Sequence, residues 1–273
     1  MLPAVKVFAN IFERWNLGMC KFYSPAGKEI GKEEFICRYS TIYYLDYKLQ
    51  NDFPIGALKS KASKTSRFIE TEIDRLILSG MTNLKDVMHV IAWKMDRIKQ
   101  KESEDSHLWV YHAHSEDTET GLIQNRQGKK IDCSNLANVI LTKHDLWIDF
   151  IRKDNPQAIL DILAKEAPEG IGTVYFITLL YFISLSEYPI YDQFAKKAID
   201  AIKTGTKPNI TIPYKELPDR NNSDFPKVGE TLKTFKNDIK KIFGYENYKA
   251  SRDIDRALWV YGHLFKDKSK SAC

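Results

Sequence analysis

The sequence predicts a mostly α-helical protein, and three observations carry that reading. Apolar residues recur at spacings of three and four, as at Phe68, Ile69, Ile73, Leu76 and Ile77. Helix stops and starts sit at the ends of such stretches: Gly80 follows one, and Pro156 opens another behind Asp154 or Asn155 as cap. Alternating runs of the kind that make half-buried strands are sparse.

Taken in order, residues 4–15 read as a helix with Val5, Phe8, Ile11 and Phe12 on its apolar face. Residues 35–49, with Tyr39, Ile42, Tyr43 and Tyr47, favour a helix over a strand. Residues 65–79 form the helix that Gly80 ends, and 83–100 the next, with Leu84, Val87, Met88, Ile91 and Met95 inward. The segment 101–130 is a polar insert punctuated by Gly121 and Gly128. Within it, 108–111 and 122–124 either pair with each other as a small β-hairpin or belong to a charged loop. Helices follow at 133–141, 143–152, 156–167, 173–186 and 193–203. Residues 204–229, rich in Pro, Asn and Gly, form a long connection, and 230–243 and 253–266 are the last helices. The total is about ten to twelve helices, in one large domain or two lobes.

Bulk properties narrow the class. Hydrophobic residues make up 43% of the 273 and charged residues 28%, which fits a soluble globular chain. The net charge of +5 permits a nucleic-acid partner without demanding one. Cys20, Cys37, Cys133 and Cys273 are too far apart for a zinc or cluster motif and read as reduced thiols of a cytoplasmic protein. Lys6, Glu13 and Arg14 break the first apolar stretch, against a signal peptide. The uncharged run at 170–186 is shorter than the ~20 residues of a membrane span and reads as a buried helix.

The most informative stretch is Gly170-Ile171-Gly172, an apolar helix, and then Tyr188-Pro189-Ile190-Tyr191-Asp192. A glycine turn entering a helix exposes backbone N–H groups at the positive end of the helix dipole, which suits a phosphate oxygen. Gly170, Gly172, Thr173 and Val174 would supply or flank those donors. Alone, Gly-Ile-Gly is also an ordinary helix–helix turn, and Asp192 alone is also a plain N-cap for the helix at 193–203.

Together these residues resemble the helix-hairpin-helix DNA glycosylase superfamily, and within it the branch of the 8-oxoguanine glycosylases. That family has a Gly-hydrophobic-Gly hairpin and a catalytic aspartate at about this spacing, behind a short loop containing Pro or Val. The resemblance is firm over 154–203 and looser elsewhere. It implies a two-lobed helical fold with a DNA cleft between the lobes. It implies duplex DNA as partner, nucleotide flipping, and Asp192 as the carboxylate that stabilises charge on the sugar and orients or deprotonates water. The expected protein is a monomer without a membrane role, acting in base-excision repair or in defence against modified phage DNA. The family pattern calls for no cofactor or catalytic metal, and a monovalent cation at the hairpin is the one ion it leaves room for.

The chain departs from the family in three places. Where bifunctional members carry a Schiff-base lysine stands Val174, so a monofunctional glycosylase without lyase activity is expected. Lys196, one turn beyond Asp192, is a candidate amine, although a solvated helix lysine is the plainer reading. Glu169 sits at the hairpin entrance, an unfavourable charge beside a phosphate. No four-cysteine iron–sulfur motif follows Asp192.

Further candidates are Lys94 and Arg97 beside Trp93 as phosphate contacts, and Lys59, Lys61, Lys64 and Arg67 as a second basic run. His107, His112 and His114 lie among Glu104, Asp105, Glu116 and Asp117. They read as a polar loop or a groove-entering insert before a metal site. Trp259, Tyr261 and His263 are candidates to line a base pocket, against plain core packing. Two rival functions stand beside the enzyme: a DNA-binding protein that keeps the fold without the chemistry, and a helical protein-interaction adaptor.

Overall fold

The computed structural model describes residues 20–44, 64–95, 98–100, 109–111, 120–124, 128–244 and 252–265. The expected helix at 4–15, the basic residues Lys59 and Lys61, Arg97, and the His107, His112 and His114 cluster lie outside the described residues.

The chain is mostly helical, as expected. A hairpin of β1 (Phe22–Tyr23) and β2 (Glu29–Ile30) precedes α1 (Lys32–Tyr44), α2 (Lys64–Ser79) and α3 (Leu84–Lys94). Next come β3 (Ile98–Gln100), β4 (Trp109–Tyr111), β5 (Leu122–Gln124) and β6 (Lys130–Asp132). The helices α4 (Ser134–Thr142), α5 (His144–Arg152), α6 (Pro156–Glu166), α7 (Thr173–Ile183) and α8 (Gln193–Thr204) follow in close order. A 3-10 turn, Phe225–Lys227, leads into α9 (Val228–Phe243), and α10 (Asp253–Gly262) is last.

Two expectations about the insert are corrected. The helix expected over 83–100 stops at Lys94, because Ile98–Gln100 pairs antiparallel with Trp109–Tyr111 instead. The two expected strands exist but do not pair with each other: Leu122–Gln124 pairs with Lys130–Asp132. Two of the four strands fall on the short apolar runs at 108–111 and 122–124, whereas Ile98–Gln100 and Lys130–Asp132 carry no strand signal; which strands pair depends on turns that local pattern does not encode.

Local chemistry accounts for the helix ends. Asn83 accepts from the Asp86 N–H at 3.0 Å, and Asp86 accepts in return from the Thr82 N–H and hydroxyl at 2.9 and 3.0 Å. That reciprocal pairing satisfies donors a helix start leaves open. Asn155, rather than Asp154, caps α6, with Pro156 in its first turn. Gly80 takes φ +72° after α2, as its role as helix stop requires.

The chain forms two compact units. One comprises Met1–Ala62, Asp192–Lys215 and Lys236–Cys273; the other comprises Ser63–Tyr191 and Glu216–Phe235. In the first, α10 packs on α1 and α8 around Phe22, Phe35, Tyr39, Phe243, Tyr261 and Phe265. Rings in such tilted and edge-on pairs add to their area burial. In the second, α3, α4, α6 and α7 pack together, and Trp93 donates its indole N–H to Glu70 at 2.8 Å while packing on Phe182. Among the described residues, no helix is long and apolar enough to cross a membrane.

Candidate functional site

The glycine turn belongs to the second unit. Pro168 accepts from the Ile171 N–H at 3.3 Å, and Gly170, third in that turn, has φ +92°, where a side chain would be strained. A Cβ on Gly170 would also press on Ile131 at 3.2 Å. Gly172 is the extended N-cap of α7, and its carbonyl accepts from the Tyr175 and Phe176 N–H groups at 2.9 and 3.3 Å. Among the described residues, no protein acceptor meets the N–H groups of Gly172, Thr173 or Val174. These are the orphan donors of a helix start. The buried Thr173 spends its hydroxyl on the Pro218 carbonyl, 2.7 Å away. Val174 is half-buried and carries no amine.

Glu169 does not stand as a bare acid at the turn. It is exposed and accepts from Lys129 at 2.9 Å, and that hydrogen bond holds its carboxyl below the usual range. The residue that shapes the turn is one the sequence did not single out. Arg220 donates to the carbonyls of Ala164 at 3.1 Å, Ala167 at 2.5 Å and Pro168 at 3.4 Å. The Ala164 and Ala167 carbonyls lie at the end of α6, where helix geometry leaves acceptors unmet, and the Pro168 carbonyl takes Arg220 as a second donor beside Ile171. Nothing in local pattern flags an arginine in a Pro- and Asn-rich connection more than fifty residues downstream.

Asp192 belongs to the first unit. It is half-buried and N-caps α8, one carboxylate oxygen accepting from the Phe194 and Ala195 N–H groups, both at 2.9 Å. Two charge-assisted bonds fix the carboxylate's direction at the positive end of a helix. The approach to Asp192 is also built with care. α7 ends with the Ser186 N–H on the Tyr181 carbonyl at 2.8 Å and the Leu185 N–H on Phe182 at 3.2 Å. This is a Schellman motif whose left-handed C′ position is Leu185, φ +48°, rather than glycine. Tyr188 then donates its hydroxyl to Asp154 at 2.7 Å, and burial with that bond pushes the phenol pKa up.

A second carboxylate accompanies Asp192. Asp255, in the first turn of α10, accepts from Arg252 at 3.2 and 3.4 Å. Burial pushes the Asp255 carboxyl up; Arg252 pulls against that shift and the charge of Asp192 adds to it. Arg252 and Arg256 are themselves buried.

The lysines around Asp192 divide. Lys196 pairs with Asp200 one turn on, both side chains about one-third exposed. Lys197, on which the sequence carries no local signal, is only 1% exposed and lies 5.8 Å from the Phe194 ring centroid.

Of the three base-pocket candidates, Tyr261 is corrected. It is completely buried against Phe35, Tyr39 and Phe265, so its ring is a core ring with no face left for a base. Trp259 and His263 are half-buried and share one face of α10. His263 stacks on Phe194 with ring centroids 3.5 Å apart and planes 17° from parallel, and meets the Trp259 carbonyl at 2.7 Å. Phe194, two residues after Asp192, joins this aromatic group without having been singled out in the sequence. Lys94 is half-buried in the last turn of α3. Among the described residues, no three His, Cys, Asp or Glu side chains converge to hold a metal ion.

Taken each by itself, one unit carries a helix start with open backbone donors, and the other carries a helix-capping carboxylate with a second acid whose titration it affects. No protein-family model, no curated protein and no solved structure matches the chain.

Proposed function

We propose that the protein is a helix-hairpin-helix DNA glycosylase that hydrolyses an N-glycosidic bond through Asp192, without lyase activity. The observation that carries the reading is the pairing of two built features at family spacing: a glycine turn that leaves three backbone N–H groups to an anion, and an aspartate held by two hydrogen bonds twenty residues on (192 − 172). In this reading Gly170, Gly172, Thr173 and Val174 hold a DNA phosphate, with Lys94 and Arg97 as outer contacts. Asp192 stabilises positive charge developing on the sugar and directs water. Trp259 and His263, with Phe194, offer ring faces to an extruded base. Val174 supports hydrolysis alone, since no nucleophilic amine stands where the family's lysine would. The setting is cytoplasmic, in repair or in defence against modified phage DNA, and the protein acts as a monomer.

The test is purified protein on a panel of duplexes carrying damaged and modified bases, with Asp192→Asn alongside. Base release by the wild type, lost in the variant, with strand breakage only after alkali, is the expected result. Release that persists in Asp192→Asn removes Asp192 from catalysis. A second reading, a DNA-binding protein without the chemistry, is favoured by Val174, which leaves the turn without a side-chain nucleophile. It predicts salt-sensitive duplex binding with no base release across the panel.

A further inference from the structure

We propose that the strap Pro218–Asp219–Arg220 governs how strongly the glycine turn holds a phosphate, with Arg220 as its positioning residue and Asp219 as a charge that opposes the anion. The inference rests on the reading of the turn given under Proposed function and assigns that site two residues the family pattern does not supply.

All the contacts lie within one compact unit. The strap is tied to the turn at two points: the Thr173 hydroxyl on the Pro218 carbonyl at 2.7 Å, and the Arg220 guanidinium on the carbonyls of Ala164, Ala167 and Pro168. Between the ties sits Asp219. Its carboxylate oxygen lies 3.5 Å from where a Cβ on Gly172 would stand, and it is steered there by the Arg220 N–H at 2.8 Å. Gly172 is the N-cap of α7, so an exposed negative charge stands beside the residue that begins the helix with the open donors. Arg220 offers a ligand no direct hydrogen bond from the N–H groups it turns to the three carbonyls, so its charge acts on an anion only at longer range. The two neighbours therefore act in opposite senses. Arg220 keeps the turn in the shape that bares its N–H groups, whereas Asp219 repels the anion they would bind and makes retention depend on salt and on further cationic contacts.

Fluorescence anisotropy of a labelled duplex with the full chain, over a salt series, tests this. Asp219→Asn is expected to tighten binding about fivefold at low salt, with the gain shrinking as salt rises. Asp145→Asn, the same charge change at an exposed position on α5, is expected to leave affinity within about twofold. Arg220→Gln is expected to weaken binding several-fold, and Arg220→Lys, which keeps the charge but cannot span three carbonyls, to do the same. Melting curves of each variant separate altered binding from unfolding. If Asp219→Asn binds no tighter than wild type, or no tighter than Asp145→Asn, the charge role fails. If Arg220→Lys binds like wild type, the positioning role fails. Wild-type binding that ignores salt would instead overturn the phosphate reading of the turn itself.

Discussion

Gly262 meets the backbone of Phe194 with no room for a Cβ between them, so the end of α10 lies directly against the first turn of α8. That is the turn Asp192 caps. The close approach fixes the helix that directs the candidate catalytic carboxylate, and it fails with one added methyl group. Gly262→Ala is expected to cost about 3 kcal/mol or more, since a backbone carbonyl cannot swing aside as a side-chain tip can. Gly31→Ala, where a Cβ meets nothing within 4 Å, is expected to change stability by less than about 1 kcal/mol. Chemical denaturation of both variants checks the contrast.

Asp192 carries two roles that substitution separates. Asparagine caps a helix about as well as aspartate but has no charge. Asp192→Asn is therefore expected to keep stability within about 0.5 kcal/mol while lowering any base release at least about 100-fold. Asp192→Ala loses the cap as well and is expected to cost about 1 kcal/mol. Paired melting curves and single-turnover base-release assays distinguish these outcomes.

His89 makes stability depend on pH. Burial pushes its imidazole down to about 4 from the ordinary 6.5, with Glu72 and Asp86 pulling the other way. Between those values the unfolded chain binds a proton that the folded chain refuses. The neutral-pH stability is therefore full above 6.5 and is lost as pH falls towards 4, by about 3 kcal/mol in all. His89→Leu is expected to flatten the difference over this window. Urea denaturation of both proteins from pH 7 to pH 4 measures it, and parallel curves would refute the assignment.

Leu185 occupies a left-handed position that a Schellman motif normally gives to glycine, and its side chain is 51% exposed. Little packing is lost on its removal. Leu185→Gly is expected to raise stability by up to about 1 kcal/mol, because relief of left-handed strain outweighs the extra chain entropy. A lower melting temperature would show that the side chain packs more tightly than its exposure suggests.

The legible parts of this molecule are those set by nearby residues. The α2 helix and its stop at Gly80 follow from an apolar stripe and a breaker, and α6 follows from Asn155 and Pro156. The positions of the glycine turn and of Asp192 as a cap were readable for the same reason. What escaped depends on distant partners. Ile98–Gln100 continues a helical pattern in sequence but pairs with Trp109–Tyr111. Tyr261 and Trp259 stand on opposite sides of one helix, and only the fold shows that Tyr261's side is the buried one, against Phe35, Tyr39 and Phe265, while Trp259's is half-buried. Asp255 gains its meaning from Asp192, and Arg220 from carbonyls at Ala164, Ala167 and Pro168, links that no local window contains.

The guanidinium at position 220 has a consequence for biogenesis. A ribosome that has extruded the chain only as far as α8 has released the glycine turn but not the donor that ties its entrance. The turn then matures late, after the whole connection has emerged, and fragments ending before residue 218 should carry it in a looser form. Proteolysis of such a fragment at 164–172, compared with the full chain, would register the difference.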